Sequence, residues 1–370
     1  MVEMTLMGTS ILKVGDWVEV RSKEEILATL DKDGQLEGMP FMPEMLAFCG
    51  RRMQVYKRAH KTCDTVFPVR GRRLDRTVHL DTRCDGSAHG GCQAGCLLFW
   101  KEAWLKRVDS GPKGQPEPRQ KTLRPTTIST AACTEAGLFK KTRLGGANGA
   151  LRYACQATQL PYFTRSLAWW DLRQYWEDYS SGNTTLGQIL RGFFYSLYYN
   201  LSQAGIGVGP LMRWLYEQVS SATCGRLWPR RAGTIPKGEP TPAVNLDLQP
   251  GELVRVKSHA EILATLTTES RNRGMLWDAE LLLYCGGTYR VLRRVTKIIE
   301  ESTGEMCEMK TPSIILDKVV CQSRYSNCRM FCPRGIYSYW REAWLERVIP
   351  SPSQTMAPNV EAQDLSACPH

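Results

Sequence analysis

Fourteen cysteines are the residues in this chain best suited to chemistry. Ten of them fall in two groups: Cys49, Cys63, Cys84, Cys92 and Cys96, then Cys285, Cys307, Cys321, Cys328 and Cys332. Thiolates are soft ligands, and four of them can hold a zinc ion in a tetrahedron without redox chemistry. The first candidate set is Cys63, Cys84, Cys92 and Cys96. The second is Cys307, Cys321 and Cys332 with Cys328, and Cys49 and Cys285 stand as alternates. An iron–sulfur cluster would accept the same four thiolates. His60, His79 and His89 lie near the first group, whereas His259 is the only histidine near the second, so a mixed Cys/His site cannot be common to both. Buried thiols acting as small apolar residues are the plain alternative. Cys133, Cys155, Cys224 and Cys368 match nothing in this pattern and read as ordinary thiols.

The pattern comes from an internal repeat. Residues 15–58 match 251–294 without a gap, with 18 identities in 44 positions. Glu25-Ile-Leu-Ala-Thr-Leu30 recurs as Glu261-Ile-Leu-Ala-Thr-Leu266. A second block pairs Cys92–Val108 with Cys332–Val348, and there Trp100-Lys-Glu-Ala-Trp104 faces Trp340-Arg-Glu-Ala-Trp344. The repeat aligns Cys49 with Cys285, Cys63 with Cys307, Cys84 with Cys321 and Cys92 with Cys332.

The elements that must position these residues follow from local pattern. Trp17-Val-Glu-Val alternates like a strand, and Met53–Lys57 and Tyr289–Arg293 read as strands too. Ser22 with Glu25 and Ser258 with Glu261 make capping boxes for a short helix in each copy. Val295–Glu300 and Ser313–Val320 flank a hairpin signal at Ser302–Glu305. Trp100, Trp104 and Val108 have the spacing of one helix face. The fold class expected is α+β: two duplicated small β-barrel-like modules, at 12–108 and 248–348, flank a central helical domain at 128–229. Gly111–Arg124 and Arg230–Pro250 read as linkers, and the tail 350–370 as disordered.

The opening Gly-Asp-x-Val-x-Val of each copy resembles the first strand of SH3-like barrels of the KOW type. That resemblance covers some eight residues per module and implies a small barrel that binds partners. The whole chain resembles a group of bacterial proteins built from tandem Cys/Trp-rich modules, which implies no particular activity.

The central segment is aromatic. Leu186, Ile189, Leu190, Phe193, Phe194, Leu197, Tyr198 and Leu201 fall on one helical face, and Asp171–Tyr179 and Leu211–Val219 also read as helices. Core packing is the expected role of that stripe, with an amphipathic helix lying on a bilayer as the alternative.

Several functions are excluded. The chain has no Walker phosphate loop, no His-Glu-x-x-His and no Gly-x-Ser-x-Gly elbow. No histidine lies between Gly90 and Ser258, which removes an imidazole base from the centre. Carbohydrate chemistry by Asp171, Glu177 and Asp178 beside Trp169 and Trp170 is the enzymatic alternative. The net charge of +11 is spread as +3, +5 and +3 over residues 1–108, 128–247 and 248–349, which makes nucleic acid a secondary partner. Fourteen cysteines without a secretory signal point to a reducing, cytoplasmic setting, and no stretch reads as a membrane span. The reading is a non-enzymatic, zinc-stabilised scaffold that binds a protein partner. An iron–sulfur accessory protein is the runner-up.

Overall fold

The computed structural model describes residues 11–66, 68–109, 133–145, 151–203, 207–222, 229, 232–326 and 329–348. The linker at 111–124, the tail at 350–370, and Cys224, Cys328 and Cys368 lie outside the described residues. The fold is mixed α+β. Strand β1 (Trp17–Val20) and helix α1 (Lys23–Leu27) open the chain, followed by β2 (Arg52–Arg58), β3 (Lys61–Asp64), β4 (Arg70–Arg73) and β5 (Thr77–Arg83). Strands β6 (Leu97–Lys101), β7 (Leu105–Arg107) and β8 (Arg165–Leu167) come next. Helices α2 (Arg173–Ser180), α3 (Leu186–Gln203) and α4 (Gly209–Ala222) occupy the middle of the chain. Then come β9 (Leu253–Val256), α5 (His259–Leu263), β10 (Thr288–Ile299), β11 (Met306–Val320), β12 (Tyr337–Trp340) and β13 (Leu345–Arg347).

The chain forms two compact units. The first holds Met1–Ile189, Thr296–Lys310 and Asn327–Tyr337; the second holds Leu190–Val295, Thr311–Ser326 and Ser338–His370. The unit boundaries cut across the segments expected from sequence. The tip of the β10–β11 hairpin and the stretch before β12 belong to the first unit, and the central helices are divided at Ile189.

Two five-stranded sheets have corresponding orders, β6-β5-β2-β1-β7 and β12-β11-β10-β9-β13. Their antiparallel registers also correspond. Val18 pairs with Met53 and Arg107, and Val254 pairs with Tyr289 and Arg347. Both short helices carry their capping boxes. Ser22 Oγ accepts from Glu25 N (3.2 Å) and Glu25 Oε2 from Ser22 N (2.9 Å), and Ser258 and Glu261 do the same. These caps answer N–H groups that a helix start leaves unpaired. Ile26 and Ile262 then enter their cores, and both are fully buried. A three-stranded sheet, β8-β4-β3, sets Cys63 opposite Gly71 in the first unit.

The Trp-x-x-x-Trp pairs are not on helices. Trp100 is the penultimate residue of a buried strand, Glu102–Trp104 is one 3-10 turn, and the chain resumes as β7. A strand residue followed by a single tight turn brings indoles four apart into one core, which mimics helical spacing. Phe41 meets Trp104 edge-on at 5.1 Å, and Trp277, its counterpart in the repeat, meets Trp344 at 5.3 Å. Trp104 Nε1 donates to Thr29 Oγ1 (3.2 Å) and Trp344 Nε1 to Thr265 Oγ1 (2.9 Å).

The stripe on α3 differs from its expected role as well. Leu190, Phe194 and Leu197 are each more than half exposed, and Leu201 is exposed too. The helix is buried through Ile189 and Tyr195 instead. Tyr195 packs with Ala279 and Tyr325 in a small cluster of the second unit. Tyrosines supply both ring area and hydroxyls on that side, so the aliphatic side is left outward.

Truncating a fully buried indole removes its packing and leaves a cavity, at a cost of about 3–5 kcal/mol. Trp344→Ala is expected to lower the stability of the second unit by that amount, read as an earlier denaturant transition by circular dichroism.

Candidate metal centre

The loop between β5 and β6 is folded back on itself. Cys84 N donates to Cys96 O (2.9 Å), while His89 N (3.0 Å) and Gly91 N (2.9 Å) both donate to Gly86 O. Gly86 has φ +75°, and a Cβ there would lie 2.1 Å from Cys92 O, so only glycine fits. The closed loop turns His89 inward, where it is 1% exposed. Glu44 meets it from the 3-10 turn Pro43–Phe48. Glu44 Oε1 accepts from His89 Nδ1 (2.7 Å) and from Ala88 N (3.1 Å). Its Oε2 is buried without a hydrogen-bond partner. His89 Nε2 faces Ala154 O at 3.1 Å, so both ring nitrogens face acceptors, and a neutral imidazole can satisfy only one of them.

Cys84 completes the group. One ligand atom from each of Glu44, Cys84 and His89 lies within 4.8 Å of the others. Burial raises the Cys84 thiol pKa strongly, and the Glu44 carboxylate raises it further. A buried carboxylate with an unanswered oxygen beside a partly buried thiol is costly unless a cation joins them. Oxygen, nitrogen and sulfur donors together suit zinc, whose arrival would displace the thiol proton.

The same loop lines a cavity of about 30 Å³ with Cys84, His89, Cys92 and Cys96, and Cys155 reaches it from the central segment. That volume holds one or two water-sized occupants. Burial pushes Cys96 up to about 12 and raises Cys155 as well. Three of the four cysteines expected in the first set therefore share one cavity.

Cys63 lies elsewhere. It is buried on β3, where the Cys332 thiol hydrogen-bonds to its sulfur and the Arg334 and Arg329 charges add to the effect. Together these lower Cys63 to about 6 against the opposing effect of burial. Arg334 Nη1 donates to Cys63 O (3.0 Å), and Nη2 to Glu301 Oε1 (2.7 Å). The second set is dispersed. Cys307 is exposed on β11, Cys321 Sγ sits 3.5 Å from Ser323 Oγ, and Cys332 belongs with Cys63. Cys49 and Cys285 end two 3-10 turns, and burial raises both thiols. Among the described residues no three cysteine sulfurs lie within 4.8 Å of one another, and Glu44, Cys84 and His89 are the one group of three potential ligands whose donor atoms do.

Comparison adds no relative. No family model, curated protein or solved structure matches this chain.

The carboxylates of the carbohydrate alternative are taken by separate basic partners. Asp178 is fully buried between Lys61 Nζ (2.6 Å) and His60 Nε2 (3.3 Å), Glu177 pairs with Arg73, and Asp171 pairs with Arg173 (2.8 Å). Trp169 and Trp170 are exposed. The repeated glutamates brace arginines at matched positions, Glu102 with Arg58 (3.3 Å) and Glu342 with Arg294 (2.7 Å). Sequence reasoning missed Glu44 and Cys155. Glu44 is identical to Glu280 in the repeat, and an acid kept inside a hydrophobic turn was the available signal. Cys155 lies outside the repeat, so nothing local marked it.

His79, on the strand that leads to Cys84, reports burial directly. Its Nδ1 donates to Leu98 O (2.8 Å), its Nε2 has no partner, and burial pushes its pKa down to about 4. The unfolded chain binds this proton near pH 6.5 and the folded chain does not. Stability from this histidine is therefore complete above about pH 6.5 and falls by about 3 kcal/mol as the pH drops to about 4. Urea titrations across that range should show the loss in the native chain and a shallower one in His79→Gln.

Proposed function

We propose that this chain is a non-enzymatic, metal-stabilised interaction protein, with zinc held at Glu44, Cys84 and His89. The convergence of those three donors, two buried and Cys84 partly buried, carries the reading. One of the cavity thiols, Cys92, Cys96 or Cys155, would supply the fourth ligand that a closed structural site needs. The zinc would pin the β5–β6 loop to the 3-10 turn of Pro43–Phe48, which serves folding rather than turnover. The two sheets of corresponding order and register are read as copies of one SH3-like module. Two related surfaces on one chain would engage a protein partner with raised effective concentration. A reducing, cytoplasmic setting fits the free thiols.

A second reading rests on a different observation. Four cysteines, Cys84, Cys92, Cys96 and Cys155, line the same cavity, and an iron–sulfur cluster is held by four thiolates.

Elemental analysis of the purified full chain separates the two. Zinc predicts colourless protein whose metal content drops by one equivalent in Cys84→Ser and in His89→Ala. Chelation is then expected to lower Tm by at least ~5 °C. Iron with sulfide, and visible absorbance lost in Cys155→Ser, would establish the cluster instead. Protein that holds neither metal and is indifferent to chelators would refute both.

A further inference from the structure

Helix α3 is seated by the wrong side for a core helix. At 100° per residue, Leu190, Phe194, Leu197 and Leu201 fall within an arc of about 60°. All four are exposed, at 51%, 62%, 56% and 38%. The opposite arc is occupied: Tyr195 stacks edge-on with Tyr325 at 4.9 Å, and Tyr199 and Tyr216 pack beside it. The helix is thus fixed to the second unit by tyrosines, and its purely aliphatic and phenyl face is presented outward.

We propose that this face docks in the headgroup–acyl boundary of an anionic lipid bilayer. Three observations select lipid over a protein surface. The stripe carries no polar side chain that could set a register, and a bilayer requires none. Across α3 and α4 the chain has two arginines, Arg191 and Arg213, against one acidic residue, Glu217, within a protein of net charge +11. That sign complements phosphatidylserine-type headgroups. Trp214 on α4 is 55% exposed, an indole of the kind that settles at membrane–water boundaries. No helix among the described residues is long and apolar enough to cross a membrane, so the contact is peripheral. This surface is independent of the proposed metal centre.

The test is vesicle sedimentation with the full chain as purified, metal content measured. Phosphatidylcholine vesicles are compared with vesicles in which about one third of the lipid is phosphatidylserine. Binding is expected to be at least ~10-fold greater on the anionic vesicles and to weaken with salt. The double variant Phe194→Glu, Leu197→Glu is expected to lose binding while keeping its circular dichroism spectrum and elution volume. Hydrogen exchange on the unaltered chain should show protection of residues 190–201 on adding anionic vesicles, and this readout needs no variant. Equal binding to both vesicles, or no protection of 190–201, would overturn the proposal. So would a native dimer that the double variant converts to monomer, because the face would then belong to a second copy of the chain.

Discussion

Burial of five indoles constrains everything else in this protein. Trp100, Trp104, Trp277, Trp340 and Trp344 are all fully inaccessible. Each brings a large apolar area and one N–H donor; Trp100, Trp104 and Trp344 donate to threonines, whereas Trp277 and Trp340 Nε1 are buried without a hydrogen-bond partner. In both sheets the threonine of the Ala-Thr-Leu segment answers the second Trp of the pair. In the first, Trp100 Nε1 also finds Thr82 Oγ1 at 2.9 Å. Because a strand and a single 3-10 turn deliver both rings of a pair, the strand order around them is narrowly determined. The Trp100–Thr82 bond ties together the two strands that flank the β5–β6 loop, and the candidate metal centre stands on that loop.

The first unit also buries charge. Lys61 is almost inaccessible, yet its ammonium meets Asp178, Met330 O and the ring of Tyr175 at 4.9 Å. Burial alone lowers the Lys61 pKa, and Asp178 opposes that shift. Removing one partner of such a pair strands the other, which is why buried pairs resist substitution more than their net contribution to stability implies. The same logic holds Arg334 against Glu301 and the carbonyl of Cys63.

Much of the local structure was legible in the sequence. The repeat gave corresponding strands, and Ser22 and Ser258 marked both helix starts, because capping is decided within four residues. The α3 helix was legible too, but not which side of it is buried. Hydrophobic periodicity reports that a face exists, and whether a neighbour covers it is a tertiary fact. Cys63 stands apart from Cys84, Cys92 and Cys96 for a related reason. Repeat alignment pairs Cys63 with Cys307 and Cys92 with Cys332, whereas the fold sets Cys63 beside Cys332. Alignment of copies describes equivalence, and contact can run between inequivalent positions. Glu44 was hidden because a buried acid in an otherwise apolar turn has no periodic signature.

The first unit is assembled from three stretches of chain, the last ending at Tyr337. A chain that emerges from the ribosome in order cannot close this unit until Asn327–Tyr337 has been made. Until then Cys63, Cys84, Cys92 and Cys96 have no finished interior to enter. Synthesis therefore passes through a long interval in which these thiols are open to oxidants, adventitious metals and one another. Cutting the chain between these stretches would leave the interior of the first unit unfinished.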